Sequence, residues 1–170
     1  MKILIINTGV GNIDSIKNIL NRIGYASKVS DIDENFENYD CLIIPGVGNF
    51  DRAIKELKKY KNFTFLKNKE FINNKLVIGI CLGMQLLFEK SEEGELNGLG
   101  LLNGVIKKFD TNKLKVNVPH MGWNYVDINK NSKFFFHHSS KLKFYFAHSY
   151  YAECKDLNLE AGTTNYGKVF

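Results

Sequence analysis

Three short runs constrain the fold most: "KILIIN" at 2–7, "YDCLIIPG" at 39–46 and "KLVIGI" at 75–80 are apolar at nearly every position. A strand with one wet face alternates apolar and polar residues, whereas a strand of a parallel sheet is covered on both faces and reads as a continuous apolar run. Each run ends in a glycine-bearing turn and is followed by residues of helical spacing, so the pattern predicts an open, mostly parallel α/β sheet with helices on both faces. The third turn carries the most information. In "GICLGMQLL" at 79–87, Cys81 sits between Gly79 and Gly83 where strand gives way to helix. That is the cysteine form of a nucleophile elbow, a sharp turn that pushes its apex side chain out of the sheet. A thiol at the first turn of a helix also feels the partial positive charge of unpaired N–H groups, which favours thiolate. Cys81 is the candidate nucleophile.

Composition narrows the class. The 170 residues suit one domain, 1–170, able to bury a core without metal or disulfide, and no linker or repeat divides them. The start "MKILIINTG" runs into a glycine turn too soon for a signal peptide and reads as a buried strand. No apolar stretch is long enough to span a membrane. The net charge of +5 comes from scattered lysines, with Arg22 and Arg52 the only arginines, so solvated faces rather than a nucleic-acid surface are expected. Cys41, Cys81 and Cys154 are odd in number and hold no C-x-x-C pair. Neither a disulfide framework nor a metal site is expected, and a reducing cytoplasm fits.

Along the chain, "IDSIKNILNRIG" repeats Ile13, Ile16, Ile19, Leu20 and Ile23 at helical spacing, and "NFDRAIKELKKY" and "TFLKNKEFINN" supply two further helical patterns. "ASKVS" reads as a short strand. After Gly94 the texture becomes β-type, in "GLGLLNGVIKKF", "KLKVNVP", "NYVDI", "KFYFAHSYYAEC" and "AGTTNYGKVF". "TGVGN" at 8–12 imitates the start of a dinucleotide fingerprint, but Asp14 stands where the third glycine belongs, so a tight turn with Asn12 capping the helix is the better reading. "PGVGNF" at 45–50 ends a strand at the carboxyl edge of the sheet, where its backbone N–H groups, with that of Leu82, could hold an oxyanion. A thiol nucleophile needs a base. His120 after a proline in a loop, the adjacent His137 and His138, and His148 within a strand are the candidates, and none stands out.

In this order the segments "IPGVGNFDRA", "GICLGMQLLFEKSEEG", "VPHMGWN", "YFAHSYYAEC" and "GTTNYG" resemble the class I glutamine amidotransferases over essentially the whole chain. "PHMGWN" resembles, among them, the glutaminase subunits of imidazole glycerol phosphate synthase. The resemblance implies that Cys81 forms a glutamyl thioester and that Val47, Gly48 and Leu82 surround the oxyanion. It implies that Gly46, Gly83, Gln85, His148, Ser149 and Tyr150 hold the glutamine, and that no cofactor is needed. Val10, Gly11 and Asn12, with Pro119, Met121 and Trp123, would face a barrel-shaped synthase (cyclase) subunit in a heterodimer. The released ammonia would serve histidine biosynthesis there, giving imidazole glycerol phosphate and aminoimidazole carboxamide ribotide. Relatives that amidate sugars for surface polysaccharides, or a partner-binding subunit without activity, are the alternatives. The family's base and its orienter lie in a later His-Pro-Glu segment that the 170 residues do not contain. A domain truncated at its C-terminus, inactive by itself and with apolar edges uncovered near "GKVF", is the corresponding expectation.

Overall fold

The apolar runs become strands of one parallel sheet. The computed structural model describes residues 1–132, 134, 135 and 141–170. It divides into two units, Met1–Leu102 and Asn103–Phe170.

In the first unit the chain runs β1 (Ile3–Ile5), α1 (Ile13–Arg22), β2 (Ser27–Val29), β3 (Cys41–Gly46), α2 (Phe50–Leu57), α3 (Lys69–Asn73), β4 (Leu76–Cys81), α4 (Leu82–Leu86) and β5 (Phe88–Ser91). Strands β1 to β4 form a sheet in the order β2-β1-β3-β4, all pairs parallel. Successive side chains of a strand point to opposite faces, and both faces here are apolar. Leu4, Ile6, Leu42 and Ile44 join a core with Phe50, Ile54 and Leu57 of α2 and Leu82 and Leu86 of α4. Ile3, Ile5, Cys41 and Ile43 face Ile13, Ile16 and Leu20 of α1. Helices therefore cover both faces, as continuous apolar strands demand.

Local signals set the helix ends. The Asn12 side chain accepts from Ser15 N–H at 3.1 Å and that of Asn49 from Arg52 N–H at 3.1 Å, each satisfying an orphan donor of a first turn. The apolar stripe of α1 is wider than the face it buries, for Ile19 and Ile23 stay exposed. "TFLKNKEFINN" does not form one helix. Asn68 ends a 3₁₀ turn over Phe63–Lys67 and caps α3 with its side chain, so one periodic stretch becomes two short pieces. The helix after Cys81 is only five residues long and passes directly into β5.

The second unit is built of all but the first residue of β6 (Leu102–Lys108), α5 (Thr111–Leu114), β7 (His120–Ile128), β8 (Lys141–His148), β9 (Tyr150–Cys154) and β10 (Gly162–Thr163). β7 pairs antiparallel with β8 on one side and with β10 on the other, and β6 pairs antiparallel with β9. The β texture after Gly94 is present in part. Asp110 accepts from the N–H groups of Asn112 and Lys113, both at 3.1 Å, which makes Thr111–Leu114 a helical turn, and none of "KLKVNVP" at 113–119 is strand. His120 is the first residue of a strand, not a loop residue, because its register partner on β8 is His148. The segment "GKVF" is tied back by backbone pairing, Thr164 and Phe170 exchanging two hydrogen bonds of 2.9 and 3.0 Å, while its Val169 side chain stays 60% exposed. A second uncovered apolar edge lies at β4, where Leu76 and Ile80 are 50% and 40% exposed. His137 and His138 lie outside the described residues.

Candidate active site

Crowding between backbones produces the elbow. A Cβ on Gly79 would stand 2.5 Å from Met84 Cα and 2.7 Å from Met84 N, and one on Gly83 would run into the Ile44 carbonyl. The first turn of α4 therefore rests directly on β3 and β4, and only glycine permits that approach. Closing so tight a turn leaves Cys81 at φ 54, ψ −116, a conformation an L side chain adopts only when its surroundings force it. Its thiol is exposed.

The candidate oxyanion loop is placed by register. Gly46, the last residue of β3, is the partner of Cys81 on β4. A Cβ on Gly46 would lie 3.1 Å from Leu82 Cβ and 3.2 Å from Gly83 N, so the backbone at 46 touches the start of α4. Val47 is 56% exposed, and Gly48 turns the chain at φ +98 into the helix α2. Gly46, Val47, Gly48, Cys81, Leu82 and Gly83 are thus brought together. Gln85, one helical turn beyond Cys81, is 9% exposed, and its Oε1 has no hydrogen-bond partner among the described residues. A buried acceptor without a partner carries a desolvation cost that a ligand's N–H would offset.

"TGVGN" joins this edge. The buried Thr8 hydroxyl lies 2.8 Å from the Val10 carbonyl and 2.9 Å from the Pro45 carbonyl, and a Cβ on Gly11 would be 3.6 Å from Gly46 Cα. Val10, Gly11 and Asn12 are therefore tied to the strand that leads into the Gly46–Gly48 loop.

Three residues that sequence reading did not single out hold the other side of that loop. Glu93 accepts from Phe50 N–H at 3.2 Å, Asp51 accepts from Glu95 N–H and Leu96 N–H at 3.1 and 3.0 Å, and Gly94 leaves the space that the Asp51 carboxylate fills. Burial pushes the Glu93 carboxyl upward. The available signal was "SEEG" at 91–94, where β5 ends, but a carboxylate that binds a backbone N–H 43 residues away leaves no periodicity to read.

In the second unit, His148, Ser149 and Tyr150 form the junction between β8 and β9. His148 uses both ring nitrogens: Nδ1 lies 2.7 Å from the Tyr150 carbonyl, and Nε2 lies 2.9 Å from Nδ1 of His120. His120 is 2% exposed and stacked between Phe146 and Tyr166, at ring-centroid distances of 4.7 and 3.9 Å. Its Nε2 faces the Asn124 amide at 3.4 Å. Burial lowers the pKa of both imidazoles, helped at His120 by the neighbouring His148. Neither ring offers an unengaged nitrogen to a thiol proton.

Met121 and Trp123 point to the exposed face of β7, at 62% and 66% exposure, and Pro119 immediately precedes that strand. Trp123 meets its cross-strand partner Tyr145 edge-on at 5.7 Å, while the Lys143 ammonium lies over the rings of Trp123 and Tyr125 at 5.9 and 5.5 Å. Among the described residues no group of three or more His, Cys, Asp or Glu could hold a metal ion, and no helix is long and apolar enough to cross a membrane.

Comparison with known proteins agrees with this geometry. The profile of the family "Glutamine amidotransferase class-I" matches residues 4–168. Imidazole glycerol phosphate synthase subunit HisH 2 of Methanococcus maripaludis is 41% identical over 99% of this chain and 83% of its own length. Subunit HisH of Prochlorococcus marinus is 41% identical over 98% and 78%. Among solved structures, a glutamine amidotransferase from Thermotoga maritima covers 99% of this chain and 73% of its own, with a TM-score of 0.62 at 16% identity. A second glutamine amidotransferase gives a TM-score of 0.63, also at 16% identity, over 87% and 71%. Fold, elbow and matched length lead to one conclusion: the chain belongs to the class-I glutamine amidotransferase family.

Proposed function

We propose that this chain is the glutaminase subunit of an imidazole glycerol phosphate synthase. The observation that carries the reading is Cys81, held at φ 54 on the elbow with Gly46, where the Gly46–Gly48 loop begins, in register beside it. The Cys81 sulfur gives its proton to a base and attacks the side-chain amide carbon of glutamine. Negative charge on the amide oxygen is met by the backbone N–H groups of Val47 or Gly48 and of Leu82, donors fixed before charge develops. Collapse of the tetrahedral adduct breaks the C–N bond, ammonia leaves with the proton, and water hydrolyses the thioester to glutamate. Gly46 and Gly83 leave room for the substrate, the unpartnered Gln85 Oε1 accepts from its ammonium, and Ser149 and Tyr150 hold its carboxylate end. His120 and His148 are not the base, since their ring nitrogens are occupied.

The names of the relatives support a synthase partner, and we assign Val10, Gly11 and Asn12 together with Pro119, Met121 and Trp123 to the contact with a barrel-shaped synthase subunit in a heterodimer. Three free thiols fit a reducing cytoplasm. The test is affinity labelling with a diazoketone analogue of glutamine, followed by peptide mapping. Cys81 is expected to carry the label and glutamine to suppress it. Label on Cys41 or Cys154, or labelling that glutamine does not slow, would sink the reading.

A further inference from the structure

A line of hydrogen bonds crosses β7 and β8 behind the segment that the proposed function assigns to glutamine, and its proton polarity is fixed from both ends. At one end the Asn124 Oδ1 accepts from Tyr125 N–H at 2.8 Å, so its amide nitrogen is the group that faces the Asn165 carbonyl at 3.0 Å and His120 Nε2 at 3.4 Å. An amide NH₂ only donates, so His120 Nε2 is the acceptor and its proton sits on Nδ1. At the other end a carbonyl only accepts, so the 2.7 Å contact between His148 Nδ1 and the Tyr150 oxygen puts the His148 proton on Nδ1. His148 Nε2 is then a lone pair, and the His120 Nδ1–H aimed at it from 2.9 Å donates to it. Two independent anchors thus demand the same arrangement: Asn124 to His120, His120 to His148, His148 to the Tyr150 carbonyl.

The last of these bonds spans Ser149 and closes the turn between β8 and β9. If His148 carried its proton on Nε2 instead, that N–H would oppose the His120 N–H and the Tyr150 carbonyl would lose its donor. The rings cannot swing away to escape the conflict, because Phe146 and Tyr166 clasp His120 on both faces and Phe109 stands against His148 at 5.4 Å.

We propose that His120, oriented by Asn124, is a positioning residue for glutamine binding: it holds His148 in the Nδ1–H tautomer, and through the Tyr150 carbonyl sets the turn that presents Ser149 and Tyr150. The proposal rests on the reading of Ser149 and Tyr150 as glutamine contacts; His120 itself touches no substrate. It also accounts for a buried histidine placed behind the Ser149–Tyr150 turn with no free nitrogen for chemistry.

Two measurements test it. Long-range ¹H–¹⁵N correlation spectra of the histidine-labelled wild-type chain should show His120 and His148 both as the Nδ1–H tautomer, the minor form of free imidazole. An Nε2–H form at either residue overturns the proposal, and this reading needs no variant. The second is glutamine protection of Cys81 against iodoacetamide. The concentration giving half-protection should rise about tenfold in His120→Phe, which keeps the ring but removes the donor, and return to within about threefold of wild type in His120→Asn, which restores an N–H near the Nδ1 position. Alkylation without glutamine should be unchanged in both. Protection in wild type that His120→Phe leaves unaltered overturns the positioning role alone. No protection in wild type overturns the glutaminase reading and this proposal with it.

Discussion

Cys81 is held in a conformation that an unconstrained cysteine avoids, which costs about 1–3 kcal/mol. Glycine tolerates positive φ, so Cys81→Gly should stabilise the chain by about 1 kcal/mol in urea unfolding after glycine's own entropy is set against the relief. The same change removes all reaction with diazoketone. A loss of stability would mean that the elbow is not strained. The other two thiols give the contrast: burial pushes both Cys41 and Cys154 upward in pKa, and Cys41 is 1% exposed, so iodoacetamide should label Cys81 well before either. Val47 tests the oxyanion assignment at single-atom scale. Its side chain is exposed, so Val47→Pro deletes one backbone N–H with little loss of packing, and the rate at which the diazoketone analogue labels Cys81 should fall about 10²–10³-fold. An unchanged labelling rate would move the donor to Gly48.

At the scale of elements, contact between α4 and β3 decides where Cys81 stands. Gly83→Ala places a methyl on the Ile44 carbonyl, and because backbone on both sides must shift, a destabilisation of about 1–3 kcal/mol or more is expected. Thermal melting checks this, and a melting temperature equal to wild type would show that α4 can lift off the sheet. The hairpin of β7 and β8 poses a different question. Its outward face carries Met121, Trp123, Tyr125 and Tyr145 with lysines lying over the rings, a combination of aromatic area and positive charge characteristic of a contact surface. Trp123→Ala should weaken association with the synthase subunit by more than ~1 kcal/mol, measured by titration calorimetry, while leaving the melting temperature of the isolated chain within a degree or so of wild type. Unchanged affinity would take Trp123 out of the interface.

For the molecule as a whole, the histidine pair sets a pH dependence whose sign can be worked out. Both imidazoles have folded pKa values below the ordinary 6.5, chiefly because burial disfavours the charged form. Between the folded and unfolded values the unfolded chain binds more protons, so the stabilisation is complete above 6.5 and is lost as pH falls below it. Urea unfolding at pH 7.5 and at pH 5.5 should show the loss, and His120→Phe should reduce it; an equal slope in that variant would place the protonation elsewhere. Much of this architecture was legible beforehand because it is local. Short continuous apolar runs that end in glycine turns and lead into helical spacing read as parallel strands covered on both sides, Asn12 caps α1 because its oxygen reaches an N–H three residues on, and two glycines flanking Cys81 mark a turn too tight for any other residue. What the sequence could not contain is the meeting of distant groups. Whether Gly46 lies beside Cys81 depends on sheet register, and whether His120 is a loop residue or a buried partner of His148 depends on a strand pairing across 28 residues. Glu93 becomes a support of the start of α2 only once folding brings it to Phe50. Short-range sterics and hydrogen bonds are written in neighbouring letters, whereas pairing and burial are settled by the free energy of the assembled fold, and there the roles of the histidines and carboxylates were decided.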